Sequence, residues 1–254
     1  MGPFFRIVDR KKTGVHSVTR TDNRLLVLNC GRTGYRECWA LQQQLLESRI
    51  GGDIPDTLLL TEHDHVYTIG TSGSENHLLW PGESLEQRGI ALVRTDRGGD
   101  ITYHGPGQLV GYPILDLHGY YLDLHRYLRD LEEVVVRTLR AFGIRGERVP
   151  GYTGVWVAGE KICAIGVRSS RWVTMHGFAL NVDTDLAFYG GIIPCGIFER
   201  GVTSMRDVLG QAPAMKDVAA RLAGEFAALF CASRGSAAHT DVHHFAAEGV
   251  CPSP

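Results

Sequence analysis

Three short apolar strands are predicted between residues 154 and 182, with only brief breaks between them. The segments are rich in Val, Ile and Trp, and the breaks fall at residues 158–160 and 169–171. Parallel neighbours need a crossover connection of roughly a dozen residues or more, whereas antiparallel neighbours need only a tight turn. These strands must therefore pair antiparallel, which excludes a sheet made only of parallel strands.

The remaining elements follow from hydrophobic spacing. Apolar residues at helical spacing predict helices over residues 35–50, 122–142 and 216–230. Apolar runs predict strands over residues 25–28, 57–61, 66–69, 90–95 and 100–117, the last interrupted by Gly105, Pro106 and Gly107. An opening strand and helix followed by closely spaced strands predict an α/β (α+β) fold, a single domain with a mixed β-sheet flanked by helices.

The ends of the chain differ from the body. Residues 1–24 hold six Lys or Arg against two Asp and form a basic leader that we expect to be flexible. Residues 233–254 lack periodicity, so we expect a loosely ordered tail. The histidines of that tail, His239, His243 and His244, resemble metal ligands, but we favour a solvated cluster and expect no metal site. The domain itself is assigned to residues 25–232.

Charge and cysteine usage narrow the function classes. A net charge of −2 excludes a strongly basic nucleic-acid binder. The sequence contains no apolar stretch of 18 residues and no secretory h-region, so neither a membrane span nor a signal peptide is predicted. The six cysteines include no CxxC pair, which indicates reduced thiols and a cytoplasmic protein.

The densest group of polar residues lies at residues 97–108. Arg97, Asp100 and His104 offer polar side chains beside Gly98 and Gly99, whose backbone can approach a ligand closely. An ordinary glycine-rich hairpin with surface side chains explains the same residues equally well. The segment is neither a Walker loop nor a dinucleotide-binding fingerprint.

Two isolated residues are candidates for nucleophilic chemistry. Cys195 lies among small residues that would leave its thiol accessible and supply N–H donors to an oxyanion, although a free cysteine is more often buried and inert. Lys161 is the only lysine between Lys12 and Lys216, and a solvated turn lysine is the simpler interpretation. His104 and His176 are the histidines best placed for a rival Cys-His arrangement. The residues alone leave these alternatives open.

Several segments, taken in order, resemble the octanoyltransferases of lipoate biosynthesis. They are residues 97–108, 154–157, 161–168, 171–182 and 194–196. The resemblance covers about residues 25–232. Residues 62–70 are also similar to a family segment, except that Asp64 and His65 stand where the family usually carries two prolines, a departure that concerns the shape of that loop.

The resemblance implies a fold akin to the catalytic domains of biotin and lipoate protein ligases. It also implies transfer of an octanoyl or lipoyl group from acyl carrier protein to a lysine of lipoyl domains, on 2-oxoacid dehydrogenase E2 subunits and the glycine cleavage H protein. No cofactor is implied, and we expect a monomer that binds neither nucleic acid nor membrane.

The resemblance further implies roles for individual residues. The cysteine matching Cys195 carries the acyl group as a thioester, and the lysine matching Lys161 lowers the pKa of that cysteine and serves as general acid and base. The implied acyl-binding residues are Arg97, Gly98, Gly99, Asp100, Ile101, Thr102, Tyr103, His104, Ala164, Ile165, Gly166, Gly177, Phe178 and Ala179.

Two rival functions remain to be weighed. An ATP-dependent lipoate or biotin ligase would share the fold and the glycine pair, but it activates its acid as an adenylate and needs no nucleophilic cysteine. A non-catalytic protein that binds lipoyl domains or acyl carrier protein would tolerate the loss of either Cys195 or Lys161. The presence of both residues favours the transferase.

Overall fold

The computed structural model describes residues 25–193, 201–232 and 240–244. Its strands are β1 (Leu25–Thr33), β2 (Asp56–His63), β3 (Val66–Ile69), β4 (Ala91–Arg94), β5 (Ile101–His104), β6 (Gln108–Ile114), β7 (Val155–Val157), β8 (Glu160–Ser170), β9 (Val173–Asn181) and β10 (Thr240–His244). Its helices are α1 (Tyr35–Gly51), α2 (Gly82–Gln87), α3 (Leu124–Ala141), α4 (Met205–Leu209) and α5 (Met215–Ala232).

Seven strands form a large mixed sheet in the order β10-β1-β2-β6-β9-β8-β7. Strand β1 pairs in parallel with both β10 and β2, and every other pair in the sheet is antiparallel. The predicted mixed sheet is therefore confirmed, and the parallel part lies where a helix, α1, connects β1 to β2.

The hairpins β7–β8 and β8–β9 form at the predicted breaks. Ala158 and Gly159 have φ values of 49° and 86°, and Arg171 and Trp172 have φ values of 50° and 63°. Two consecutive residues with positive φ are the mark of the two-residue turn that matches the twist of antiparallel strands. These turns hold β7, β8 and β9 as one antiparallel unit.

Helices cover both faces of the large sheet. Helices α3 and α5 pack on one face through the largest buried cluster, which includes Tyr127, Leu131, Phe226 and Phe230. Helix α1 covers part of the other face, where Leu45 and other apolar residues meet β2, β6 and β9. Helix α3 begins after Asp123. The Asp123 carboxylate accepts hydrogen bonds from the backbone N–H groups of His125 and Arg126 and so caps the helix.

A second, three-stranded sheet has the order β4-β3-β5. Its core contains Tyr67, Ile69, Ile101 and Tyr103, which pack against a 3-10 turn at Leu186–Gly191. The sequence predicts these strands but not their separate sheet, because a short apolar run does not specify the strand with which it pairs.

The region after residue 232 differs in part from the expected loose tail. Residues Thr240–His244 form β10, which adds to the edge of the large sheet by parallel pairing with β1. Main-chain pairing to an exposed edge needs no apolar periodicity, so the sequence gives no signal for this strand. The leader at 1–24 and the rest of the tail lie outside the described residues.

No helix within the described ranges is long and apolar enough to span a membrane.

Candidate active site

A cavity of about 330 Å³ lies between strands β8 and β9 and the glycine-rich segment that precedes β5. It is lined by Lys161 and by every predicted acyl-binding residue except Tyr103, namely Arg97, Gly98, Gly99, Asp100, Ile101, Thr102, His104, Ala164, Ile165, Gly166, Gly177, Phe178 and Ala179. The structure thus brings three distant segments of the sequence to one cavity.

Small residues on β8 and β9 line one wall of the cavity. Ala164 pairs with Ala179, and Gly166 pairs with Gly177 in the next register on the same face. A Cβ atom on Gly166 would lie 2.6 Å from the carbonyl oxygen of Gly98. The glycine-rich segment therefore approaches β8 closely because residue 166 has no side chain.

Arg97 holds the glycine-rich segment in place. The residue is 7% exposed, and its Nη2 atom donates hydrogen bonds of 2.6 Å to the carbonyl oxygens of Thr68 and Asp100. The Nε atom donates to the Thr68 hydroxyl at 3.1 Å. The guanidinium group therefore joins the segment to β3, so Arg97 organises the cavity wall through main-chain contacts.

Asp100 links the glycine-rich segment to a histidine that the sequence did not single out. One carboxylate oxygen accepts the backbone N–H of Ile101 at 2.7 Å, and the other lies 2.5 Å from Nδ1 of His77. The carboxylate thus fixes the orientation of the His77 ring. His77 is partly exposed, and its carboxylate partner Asp100 lines the cavity.

Tyr103 does not reach the cavity. It is completely buried in the small sheet, its hydroxyl lies 2.8 Å from Nδ1 of His65, and its ring stacks on Phe188. Side chains alternate along a strand, and Thr102 and His104, its neighbours in β5, both line the cavity.

A buried part of the cavity wall contains the rings of Tyr35, His104 and Tyr112, with His63 packed behind them. Tyr35 from α1 stacks on His104, and Tyr112 from β6 donates its hydroxyl hydrogen to Nε2 of His63 at 2.7 Å. Nδ1 of His63 then donates to the carbonyl of Thr33 at 3.0 Å. Burial lowers the pKa of His63 to about 4, so the ring is neutral at physiological pH.

His104 is also held neutral. Nδ1 donates to the Gln108 side-chain oxygen at 2.8 Å. Burial, reinforced by His63 and the charge of Arg97, lowers the pKa of His104 well below its usual range. These contacts give His104 a structural role in the wall and do not favour it as the base of a Cys-His pair.

His176 occupies a strained position on β9. Its φ is 56°, a conformation that is uncommon for residues other than glycine. Nε2 lies 2.6 Å from a carboxylate oxygen of Asp96, which also pairs with Arg168. Burial lowers the pKa of His176, and Asp96 opposes this effect. The Asp96 contact ties β9 to the loop before the glycine-rich segment.

Lys161 lies at another side of the cavity. Its main-chain N–H donates to the carbonyl of Gly201, and its own carbonyl accepts from the N–H of Thr203, both at 3.0 Å. Its Nζ lies 5.0 Å from the ring of Trp156, within range of a cation–π contact.

Cys195 lies outside the described residues, which resume at Gly201. Ile193, two positions before Cys195 in the sequence, donates its N–H to the carbonyl of His77 at 2.8 Å. The residues that flank the segment 194–200 are therefore attached to His77 on one side and to Lys161 on the other.

Comparison with known proteins agrees with this geometry. Residues 34–227 match the lipoyl protein ligase A/B catalytic domain family. The chain is 56% identical over 183 residues to the octanoyltransferase of Rubrobacter xylanophilus, an alignment that covers 71% of this chain and 82% of that one. The chain belongs to the octanoyltransferase family. It is therefore an acyltransferase, as the resemblance implied.

Solved structures confirm the predicted fold. The bipartite lipoate protein ligase of Thermoplasma acidophilum has a TM-score of 0.65 and 19% identity, covering 87% of this chain and 86% of its own. The biotin protein ligase of Aquifex aeolicus has a TM-score of 0.50 and 15% identity, covering 81% of this chain and 69% of its own. At these identities the likeness concerns the fold.

The departure from the usual octanoyltransferase pattern falls in the turn between β2 and β3. Asp64 accepts a hydrogen bond of 2.7 Å from Nε of Arg32, and the ring of His65 stacks on Phe188 at 4.2 Å. This chain thus fixes the turn by side-chain contacts where two prolines would restrict the backbone. Neither residue lines the cavity.

Several residues of the octanoyltransferase cavity escaped the sequence analysis. They are Tyr35, Val110, Tyr112, Asn181 and Tyr189 in the wall and His77 beside it. They come from separate elements whose convergence only the fold reveals, and only Asn181 lies in a segment that carries the family resemblance. No cluster of the described His, Cys, Asp and Glu residues has the arrangement of a metal site.

Proposed function

We propose that this chain transfers an octanoyl or lipoyl group from acyl carrier protein to the side-chain amine of a lysine on lipoyl domains, and that Cys195 carries the acyl group as a thioester. The observation that carries the proposal is the attachment of both flanks of the Cys195 segment beside the cavity, through Ile193 to His77 and through Gly201 to Lys161.

The cavity suits an acyl chain. A volume of about 330 Å³ falls at the lower end of the range for small-molecule sites, about 300–1,000 Å³. Ala164, Ala179, Gly166 and Gly177 present no polar side-chain atom along their wall. Apolar methylenes gain about 0.8 kcal/mol each on leaving water, which supports binding of an eight-carbon chain.

Lys161 is proposed to activate Cys195. A thiol with a pKa of about 8.5 is only a few per cent thiolate at neutral pH. A neighbouring ammonium that lowers this pKa by about 2 units, roughly 2.7 kcal/mol, makes the thiolate the majority species. Thiolate is the nucleophilic form of cysteine, so this pairing supplies the reactive group.

The first half of the proposed reaction exchanges one thioester for another. The Cys195 thiolate attacks the thioester carbonyl of the donor, a new C–S bond forms, and the bond to the pantetheine sulfur breaks. The departing thiolate takes a proton from the Lys161 ammonium, which leaves Lys161 neutral. Backbone N–H groups near Cys195 and Gly177 would stabilise the oxyanion formed during attack.

The second half forms the amide. The amine of the acceptor lysine attacks the acyl-enzyme carbonyl, a C–N bond forms, and the Cys195 thiolate leaves. Neutral Lys161 accepts a proton from the attacking amine and so restores the starting pair. Conversion of a thioester to an amide is downhill, which supports a reaction that requires neither ATP nor another cofactor.

The same proposal extends to partners and location. The donor would be octanoyl-acyl carrier protein, and the acceptors would be lipoyl domains of 2-oxoacid dehydrogenase E2 subunits and the glycine cleavage H protein. We propose that the enzyme acts as a cytoplasmic monomer. The absence of CxxC pairs from the sequence is consistent with reduced cysteines there.

The decisive experiment measures the intact mass of the protein after mixing with octanoyl-acyl carrier protein without ATP. An adduct of about 126 Da, an octanoyl group less the displaced hydrogen, is expected for a covalent acyl-enzyme. Cys195→Ala should abolish it. Cys30→Ala is the matched control, because Cys30 is only partly buried but its pKa is raised by burial to about 11. Absence of the adduct from the unmodified protein, or strict dependence of amide product on ATP, would contradict the proposal.

A further inference from the structure

Counted from the protonated acceptor lysine, the second half of the proposed reaction releases two protons, and Lys161 accepts only one. A free lysine ammonium has a pKa of about 10.4, so the acceptor arrives mainly as –NH3⁺. It ends as an amide N–H and therefore loses two protons, while the Cys195 group leaves as a thiolate. One proton restores the Lys161 ammonium, and the other needs a second acceptor.

We propose that His77 is this second proton acceptor and that Asp100 is its positioning residue. The inference rests on the proposed function and adds a catalytic group to the amide-forming step. His77 first removes a proton from the acceptor ammonium to give the nucleophilic amine. After attack, Lys161 removes the second proton as the C–S bond breaks, and His77 passes its proton to solvent.

The hydrogen bonds of the pair favour this role. Nδ1 of His77 lies 2.5 Å from the Asp100 carboxylate, which as an acceptor requires the ring to donate from Nδ1. The lone pair is then on Nε2, which is the arrangement of a carboxylate-oriented general base. The other Asp100 oxygen is fixed by the backbone N–H of Ile101 and, at 3.3 Å, of Ser74.

The location of His77 is also suitable. Its carbonyl holds Ile193, two positions before Cys195, and its neighbour Leu78 pairs with Ile192 in an isolated antiparallel bridge. The His77 side chain is 28% exposed, so a proton can pass to water. Asp100 and Lys161 line the same cavity, so the carboxylate that orients His77 and the other proposed proton acceptor belong to one site.

The two histidines that line the cavity, His104 and His176, lack this combination of an exposed ring and a carboxylate partner. His104 is buried, and its ring is engaged by Gln108 and Tyr35. His176 is 1% exposed and is held by Asp96. The remaining charged neighbour of His77 in its own turn, Glu75, is paired with Arg94. Asp100 is thus the charged group that directs the His77 ring.

The test measures the two half-reactions separately in the full-length protein. Acylation is followed by intact mass after mixing with octanoyl-acyl carrier protein, and aminolysis is followed by mixing isolated octanoyl-enzyme with a lipoyl domain. His77→Asn retains an amide N–H that can bond Asp100 but has no basic nitrogen. We expect its aminolysis rate to fall about 100-fold, with acylation changed less than about twofold.

Chemical rescue distinguishes proton transfer from a structural effect. Imidazole added to His77→Ala should restore the aminolysis rate by about tenfold or more, since it supplies the missing base. Asn76→Ala, an exposed change in the same turn, is the matched control and should behave as wild type.

Three outcomes would overturn the assignment of His77. These are wild-type aminolysis by His77→Asn, an equal slowing of both half-reactions, and failure of imidazole to raise the His77→Ala rate. Failure of the wild-type protein to form an octanoyl adduct would instead overturn the proposed function, and the role of His77 with it.

Discussion

The main-chain N–H of Lys161 donates to the carbonyl of Gly201 at 3.0 Å. This bond, with the reciprocal one from Thr203, ties the start of β8 to the residues that follow the Cys195 segment. The backbone of Lys161 is therefore held in position by main-chain pairing, independently of its side chain. A substitution that removes only the ammonium should leave this pairing intact.

Lys161→Ala tests the proposed effect of the ammonium on Cys195. We expect the pH dependence of iodoacetamide labelling of Cys195 to move upward by about 2 units, because the charge that stabilises the thiolate is lost. Lys161→Arg keeps a positive charge and should move the profile less, and Lys216→Ala, in the first turn of α5, should not move it. An unchanged profile for Lys161→Ala would show that the lysine does not activate the thiol.

Gly166→Ala tests the close approach of the glycine-rich segment to β8. The new Cβ would meet the Gly98 carbonyl oxygen at 2.6 Å, so the segment must move. We expect at least a tenfold loss of octanoyl adduct and a loss of about 1–3 kcal/mol of unfolding free energy, typical of overpacking. Intact mass and thermal unfolding measure the two effects.

Gly190→Ala is the control for that substitution. No heavy atom lies within 4 Å of its Cβ position, so adduct formation should be retained. Normal adduct formation by Gly166→Ala would show that the contact between Gly98 and β8 does not shape the acyl site.

The hairpins of β7, β8 and β9 were predictable because their signal is local. Apolar strand residues and turn residues such as Gly159 lie next to one another in the sequence. The separate sheet of β3, β4 and β5 was not predictable in this way. Its pairing brings Val66 beside His104, which lies far from it in the sequence. Which strands pair over such a sequence separation depends on the whole fold.

The candidate site was also predictable only where its signal is local in the sequence. The structure places residues 97–102 and 104 of the glycine-rich motif in the cavity wall, and the motif did not reveal that the Arg97 guanidinium bonds main-chain oxygens. Strand alternation offered a usable signal that Tyr103 and His104 would point in opposite directions. His77 and Tyr35 had no comparable signal, because they reach the site through the turn after β3 and the start of α1.

Gly224→Ala should stabilise the protein. Gly224 is exposed in the interior of α5, and a Cβ there would meet no neighbouring atom within 4 Å. Alanine is favoured over glycine in a helix interior by roughly 0.5–1 kcal/mol, largely because it restricts the unfolded chain. Urea unfolding should show an increase of this size with an unchanged adduct. A decrease in stability would mean that α5 is constrained at this position by something other than helix propensity.

His63 should make stability depend on pH. Burial lowers its pKa to about 4 in the folded protein, whereas an unfolded histidine titrates near 6.5. The unfolded state therefore binds the proton first as pH falls. The contribution of His63 to stability is complete above about pH 6.5, and it decreases by up to about 1.4 kcal/mol per unit down to pH 4.

His63→Gln isolates this contribution, because glutamine can still accept from Tyr112 and donate to the Thr33 carbonyl. The variant should lose less unfolding free energy than wild type between pH 6.5 and 5, by roughly 1–2 kcal/mol, in urea titrations at the two pH values. Titration of the other histidines and of the carboxylates is common to both proteins, so the difference between them reports His63. If the unfolding free energies of the two proteins change equally with pH, the buried His63 ring accepts a proton as readily as it does in the unfolded chain.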